Sequence, residues 1–161
     1  MVLKGRLNAC TTMSHELSIT RLIDAPPEKV FRTWIGRLPE WWAPKPWTTQ
    51  VDKLDFRSAG AFETTMRGPE GEVYPGRGVF LEVVENERIV FTDAYSEGWQ
   101  PSATEPFFTG IITFGNEGGK TRYTATVRHW TEENCRKHEE MGFYPGWNQC
   151  IDQLSELATQ S

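Results

Sequence analysis

Alternation of apolar and polar residues opens the patterned part of the chain and predicts a strand followed by two short helices. Residues 16–23 alternate with period two, as in a half-buried strand. The segment 24–27 contains two prolines, which end the strand because proline lacks the N–H that a sheet ladder needs. Apolar residues then recur at helical spacing, which predicts a helix over about 27–35 and a second helical turn over about 39–42.

The middle of the chain reads as a series of strands separated by clusters of Gly, Pro, Asn and Asp. The predicted strands cover roughly residues 48–56, 61–67, 72–84, 88–95, 107–115 and 120–130. Because most of the intervening turns are short, we expect the strands to pair as an antiparallel meander. Only residues 96–106 form a longer connection, and loops of that length carry function more often than tight hairpins do.

The last part of the chain is predicted to be helical. Thr131 is a suitable N-cap, and the acidic residues after it suit the positive end of a helix. Gly142 and the pair Pro145 and Gly146 predict a break between about 142 and 146. Beyond the break, one stripe of the helix carries Trp147, Cys150, Ile151, Leu154, Leu157 and Ala158.

Together these elements predict an α+β fold with seven strands. The terminal helix is the only element long enough to cover the apolar face of such a sheet. An up-and-down barrel of the lipocalin kind is the main alternative, but its strands would close on themselves and leave the terminal helix outside.

Length and charge narrow the classes of protein. A chain of 161 residues is the size of one domain, which we assign to residues 14–161, with residues 1–13 as a disordered extension. The longest apolar runs are far too short to cross a bilayer, and a net charge of −5 without a basic run argues against nucleic acid as a partner. Three cysteines without paired spacing, and no export signal, are typical of reduced thiols in a cytoplasmic protein.

Four pieces of the sequence carry a resemblance to a known superfamily. They are the strand-to-helix entry at residues 23–31, the pair Trp41-Trp42, the stretch 87–94, and the ending 138–157 with Gly146-Trp147. In this order they resemble the START lipid-transfer, birch-pollen-allergen-like and polyketide cyclase proteins (SRPBCC). Within that superfamily they are most similar to bacterial homologues of the activator of the ninety-kilodalton heat-shock protein's ATPase.

The resemblance covers about residues 14–158 and implies a helix-grip fold. In that fold a curved seven-stranded antiparallel sheet wraps around a long C-terminal helix, two short helices follow strand 1, and an internal cavity lies between sheet and helix. Each matching piece marks architecture and none is a catalytic signature, so the resemblance does not imply a reaction.

Aromatic residues are the first candidates for a binding site, since the chain holds seven tryptophans and nine phenylalanines. Several lie at element ends or in loops, where they would line a cavity for an apolar or aromatic ligand. The alternative is that they fill the core under the sheet. The predicted ligand-binding residues are Trp41, Trp42, Trp47, Arg77, Phe91, Tyr95, Trp99, Phe107, His129, Phe143 and Trp147.

Polar candidates for chemistry are few. His129 shares strand parity with Tyr123 and Val127, so it should face the concave side of the sheet as a polar anchor, a general base, or a core histidine bonded to backbone. Asp93 could also face inward, where a carboxylate needs a partner such as Arg77 or His129. His138 could reach the mouth of the cavity, but an exposed helix histidine is the expected alternative.

Three hypotheses for function remain open at this point. The first is binding of a small hydrophobic or aromatic molecule, the second is interaction with a chaperone, and the third is an enzyme of the cyclase, dehydratase or hydrolase kind that uses His129 and Asp93. No spacing of histidines and cysteines suits a metal, and no nucleotide motif is present, so we expect no metal and no cofactor. A homodimer is compatible with the sequence.

Overall fold

The computed structural model describes residues 15–160 of the chain, which form nine strands and four helices. The strands are β1 (Glu16–Ile23), β2 (Thr48–Leu54), β3 (Ala61–Arg67), β4 (Val73–Val84), β5 (Arg88–Thr92), β6 (Tyr95–Ser96), β7 (Gln100–Pro101), β8 (Phe108–Glu117) and β9 (Lys120–His129). The helices are α1 (Pro27–Gly36), α2 (Leu38–Trp41), α3 (Glu132–Glu140) and α4 (Phe143–Thr159).

Seven of the strands form one antiparallel sheet in the order β1-β9-β8-β5-β4-β3-β2. From β2 to β9 the large sheet follows the predicted meander, and β1 returns to pair with β9 at the far edge. The segment between β1 and β2 carries α1 and α2 across the concave face, and α4 packs against both of these helices. The predicted helix-grip fold, with a seven-stranded sheet, a long C-terminal helix and two short helices after β1, is confirmed.

The long connection after β5 has more structure than the sequence predicts. Residues Tyr95–Ser96 and Gln100–Pro101 pair as a second, two-stranded sheet, and Trp99 in its turn has a positive φ of 58°. Strands of two residues are too short to produce a recognisable alternation, so the pattern along the chain predicts only a loop there.

The terminal helix is interrupted earlier than the position of proline predicts. α3 ends at Glu140 and α4 begins at Phe143, with Gly142 between them at a φ of 98°, a left-handed conformation that glycine adopts without strain. Pro145 lies in the first turn of α4, where its missing N–H has no intrahelical partner to lose. The observed break therefore lies between Glu140 and Phe143, at the N-terminal end of the predicted range 142–146.

Alternation along β9 places its apolar residues against the helices. Tyr123, Ala125, Val127 and His129 are buried, whereas Arg122 and Arg128 are exposed on the other face, as their parity predicts. The core between sheet and helices is rich in aromatic rings and centres on Trp34, whose side chain is 0% exposed.

Three further expectations from the sequence have different outcomes. Of the two described cysteines, Cys150 is free and Cys135 is disulfide-bonded, so the prediction of reduced thiols is wrong for Cys135. No helix within residues 15–160 is both long enough and apolar enough to span a membrane. The expected disordered extension at residues 1–13 lies outside the described residues.

Candidate functional site

A cavity of about 360 Å³ opens between the sheet and the first half of α4. Its wall combines residues of α2, the starts of β8 and α4, and the break between α3 and α4. The lining residues are Trp41, Trp42, Pro44, Met66, Phe107, Phe108, Tyr123, His138, Met141, Gly142, Phe143, Gly146, Trp147, Cys150 and Ile151. Met141 is 68% exposed, which places it at the mouth.

Aromatic rings form most of this wall and hold one another in place. Trp42 contacts Trp147 edge to face, with 6.3 Å between ring centroids, and Trp147 lies 5.0 Å from Phe143 and 6.0 Å from Phe108. Trp42 also lies 5.7 Å from Phe91, which packs behind the wall. Interlocked rings of this kind restrict each other's rotamers, so the wall is largely preformed.

Two histidines provide a polar pair at one side of the cavity. His129 Nε2 lies 2.9 Å from His138 Nδ1, and His129 Nδ1 lies 2.9 Å from the carbonyl oxygen of His15. Both imidazoles are buried, with 5% and 8% of their surfaces exposed. The pair joins the last residue of β9 to the second turn of α3 and fixes how α3 is placed on the sheet.

Burial sets the charge state of both histidines. Desolvation lowers the pKa of His138 from its ordinary value to about 4, with a smaller contribution from the charge of His129. Desolvation also lowers the pKa of His129, although its hydrogen bond to the His15 carbonyl opposes the shift. Both side chains are therefore neutral at pH 7.

Backbone N–H groups at the start of β8 donate hydrogen bonds to the carboxylate of Asp93. Its carboxylate accepts hydrogen bonds from the N–H of Phe107, at 2.8 and 3.0 Å, and from the N–H of Phe108 at 3.3 Å. Burial raises its pKa, and these hydrogen bonds act in the opposite direction. Asp93 thus fixes the two phenylalanines in the cavity wall but does not itself line the cavity.

The structure brings part of the predicted binding set together. Trp41, Trp42, Phe107, Phe143 and Trp147 line the cavity. Two further members pack behind the wall rather than on its surface: Phe91 against Trp42, and His129 against Phe107 and Phe108.

Four other members of that set lie elsewhere. Arg77 forms an ion pair with Asp52 at 3.0 Å, and so does not reach Asp93 as its partner. Tyr95 and Trp99 contact each other on the exposed β6–β7 hairpin. Trp47 stacks against Tyr74 and lines a separate groove of about 630 Å³.

That second groove is more polar and lies beside the end of α4. Its wall includes Lys45, Glu40 and Glu156, and the amide of Gln153 is already bound to the carbonyl oxygens of Trp41 and Ala43, at 3.1 and 2.9 Å. Because its wall carries charged side chains and only one aromatic ring, it is a weaker candidate for binding an apolar molecule than the aromatic cavity.

Sequence reasoning missed several residues of the wall. The expectation of an exposed His138 is wrong, because a helix position alone does not reveal that β9 ends directly beneath α3 and that His129 bonds to it. Phe107 and Phe108 are adjacent, so in a regular strand they would point to opposite faces of the sheet. Both line the cavity because they lie at the irregular start of β8, where strand alternation does not hold. Tyr123 has the same inward parity as His129, and that signal was available.

No metal site is present in the part of the chain that the structure describes. Within residues 15–160 no three side chains of His, Cys, Asp or Glu are grouped so that they could hold an ion.

Comparison with known proteins places this geometry in a family. The family model described as "Activator of Hsp90 ATPase homolog 1-like protein" matches residues 24–159, which is most of the chain. No curated protein matches the chain.

Several solved structures are similar. Protein NE0264 from Nitrosomonas europaea is 37% identical, with a TM-score of 0.83 over 88% of this chain and 92% of that one. Protein Ms6760 from Mycobacterium smegmatis is 26% identical, with a TM-score of 0.79 over 94% and 95% of the two chains. A protein from Arthrobacter aurescens is 22% identical, with a TM-score of 0.80 over 94% and 90%. The sheet, the helix and the family match together show that the chain belongs to the Activator of Hsp90 ATPase homolog 1-like family of the SRPBCC superfamily.

Proposed function

We propose that the protein binds a small apolar or aromatic molecule in the cavity between the sheet and α4. The observation that carries the proposal is the wall itself, which is preformed and built mainly from aromatic rings. Water in such a space finds few hydrogen-bonding partners, so an apolar molecule that displaces it would bind favourably.

The volume and the charges of the wall limit what would fit. An apolar cavity of about 150 Å³ holds one benzene molecule, so a cavity of about 360 Å³ suits a molecule of roughly two or three rings. No lysine or arginine lines the cavity, so a buried carboxylate would lack a counter-ion there. A neutral ligand is therefore favoured over a fatty acid.

Tryptophan fluorescence and thermal unfolding test this proposal together. Native mass spectrometry first establishes that the purified protein carries no copurified molecule. Naphthalene and 2-methoxynaphthalene should then quench fluorescence, because three tryptophans line the cavity, and should raise the melting temperature. At about 100 times the dissociation constant the expected gain in stability is about 2.7 kcal/mol.

Trp99→Ala is the matched control, because it removes an exposed tryptophan that does not line the cavity. Its binding curve should coincide with that of the wild type. These naphthalenes, flavonoids and aromatic polyketides are each added to ligand-free protein. If none of them quenches fluorescence or raises the melting temperature, the proposal is excluded.

Interaction with a chaperone is the second candidate. It is supported by the description of the family and by the exposed aromatic pair Tyr95 and Trp99 on the β6–β7 hairpin. Pull-down with the cell's own heat-shock ATPase should then succeed with the wild type and weaken with Trp99→Ala. The enzymatic hypothesis has no comparable support, since the carboxylate of Asp93 is taken up by backbone N–H groups.

A further inference from the structure

The hydrogen bonds of His129 determine which of its nitrogens carries the proton. The carbonyl oxygen of His15 can only accept, so His129 Nδ1, at 2.9 Å, must donate. In the neutral imidazole Nε2 then has no proton and accepts. Its partner at 2.9 Å is His138 Nδ1, which must be the donor of that bond.

The tautomer of His138 follows from that of His129. A neutral His138 with its proton on Nδ1 has a lone pair on Nε2. This Nε2 makes no hydrogen bond within residues 15–160. It is also not fully buried, since it is not one of the buried polar atoms that lack a partner. His138 is one of the residues that line the cavity.

Aromatic rings and the hydrogen bond to His129 hold the His138 imidazole in this orientation. Its centroid lies 4.8 Å from that of Phe107, 5.2 Å from Phe108 and 5.1 Å from Phe143. The bond to His129 fixes the remaining rotation, and His129 is itself anchored on the backbone of His15. The acceptor is therefore positioned before any ligand enters.

Two other polar groups of wall residues have protein partners. Cys150 Sγ donates to the carbonyl oxygen of Trp42 at 3.4 Å, and the hydroxyl oxygen of Tyr123 accepts from Trp34 Nε1 at 3.1 Å. That bond directs the Tyr123 hydroxyl toward Trp34, which does not line the cavity. The wall thus offers an oriented acceptor at His138.

Resting on the proposed function, we infer that the ligand is a neutral hydroxyaromatic molecule whose hydroxyl group donates a hydrogen bond to His138 Nε2. Full transfer of the proton to His138 is disfavoured, because it would create an imidazolium in a buried wall that contains no carboxylate. The His129–His138 chain also ends on a backbone carbonyl, which cannot pass a proton on. The pair is therefore suited to recognition of the ligand.

Three naphthalenes of similar shape test the inference at neutral pH. Naphthalene has no polar group, 2-methoxynaphthalene has an acceptor only, and 2-naphthol has a donor and an acceptor. In the wild type 2-naphthol should bind about 3- to 10-fold more tightly than 2-methoxynaphthalene, the range expected for one hydrogen bond. In His138→Phe the ratio of the two affinities should fall to the value expected from the different hydration of free 2-naphthol and free 2-methoxynaphthalene. Naphthalene should still bind to this variant.

A measurement on the wild type covers the case in which His138→Phe does not fold. The ¹⁵N chemical shift of His138 Nε2 should be that of an unprotonated nitrogen, and it should move on addition of 2-naphthol but not of naphthalene. A protonated Nε2, or an equal preference for 2-naphthol in wild type and His138→Phe, overturns the inference. Binding of all three compounds with equal affinity overturns it and leaves the proposed function intact, whereas binding of none refutes the proposed function itself.

Discussion

The two halves of the interface between α4 and the sheet are packed differently. Around the second half of α4, α1 lies against the helix and fills the space: Leu154 and Ala158 are 0% exposed, and Phe31 contacts Phe114 with 5.4 Å between centroids. Around the first half, the same sheet and the same helix enclose a cavity of about 360 Å³.

This difference arises from which side chains project between the two layers. At the filled end Trp34 is completely buried, and its Nε1 donates to the hydroxyl of Tyr123 at 3.1 Å. At the hollow end the chain breaks at Gly142 and then presents Gly146, whose absent side chain leaves nothing within 4 Å of where a Cβ would lie. The glycine positions and the helix break leave space for the cavity, and we expect stability to depend mainly on the other end.

The largest effect is expected at the filled end. Trp34→Ala removes a ring of α1 that packs on Phe56, Phe62 and Phe91, none of which lines the cavity, and leaves a large void in the core. We expect a loss of about 3–5 kcal/mol in the free energy of unfolding, measured by urea denaturation. A loss below about 1 kcal/mol would mean that this end is not the stabilising half of the interface.

The equivalent truncation at the hollow end should cost less stability. Trp147 is partly exposed and already borders empty space, so Trp147→Ala should reduce the free energy of unfolding by about 2 kcal/mol. The same substitution should weaken naphthalene binding at least about tenfold, because the ring forms part of the wall. If the urea midpoint falls as far as in Trp34→Ala, the contrast between the two ends is wrong.

Acidification should weaken the hollow end through His138. Its pKa is lowered from 6.5 to about 4 on folding, so below pH 6.5 the unfolded chain binds the proton more readily than the folded one. The stabilisation is complete above pH 6.5 and is lost as the pH falls toward 4. Between pH 7 and pH 5 we expect a loss of about 2 kcal/mol from this residue.

Urea denaturation at the two pH values measures this loss, and His138→Phe is the comparison. The variant should lose about 2 kcal/mol less than the wild type between pH 7 and pH 5. An equal loss in both proteins would show that other groups, such as His129, account for the acid sensitivity.

The smallest effect concerns Gly146. Because a Cβ has open space there and glycine is a poor helix former, Gly146→Ala should stabilise the protein by up to about 1 kcal/mol, and Gly146→Leu should occupy part of the cavity and weaken naphthalene binding. Gly36→Ala at the end of α1 is the matched control, since its Cβ also meets nothing and it lies outside the cavity. Unchanged naphthalene affinity in Gly146→Leu would contradict the position of the site.

Much of the fold could be predicted because long elements have clear periods. The alternation along residues 16–23 and 120–129, and the apolar stripe that contains Ile151 and Leu154, each depend on local sequence. The position of the break at Gly142 was less accessible, since proline is tolerated in the first turn of a helix and so marks a break only approximately.

The site was predicted less completely because it depends on contacts between distant parts of the chain. Aromatic residues at element ends, such as Trp42 and Phe107, were sound candidates. Arg77 pairs with Glu63 across β3 and β4, out of phase with the inward-facing Phe62 and Phe80, and its ion pair with Asp52 holds it away from the cavity. The acceptor on His138 could not be found from sequence, since it depends on the tautomer that His15 imposes through His129.

A crystal structure with 6-bromo-2-naphthol tests the central claim most directly, because bromine is located by its anomalous signal without assumptions about the ligand's pose. We expect the bromine peak inside the cavity between Trp42 and Trp147, with the hydroxyl oxygen within about 2.6–3.2 Å of His138 Nε2. A bromine peak confined to the groove beside Trp47, or no peak at a concentration that saturates binding in solution, would contradict the account.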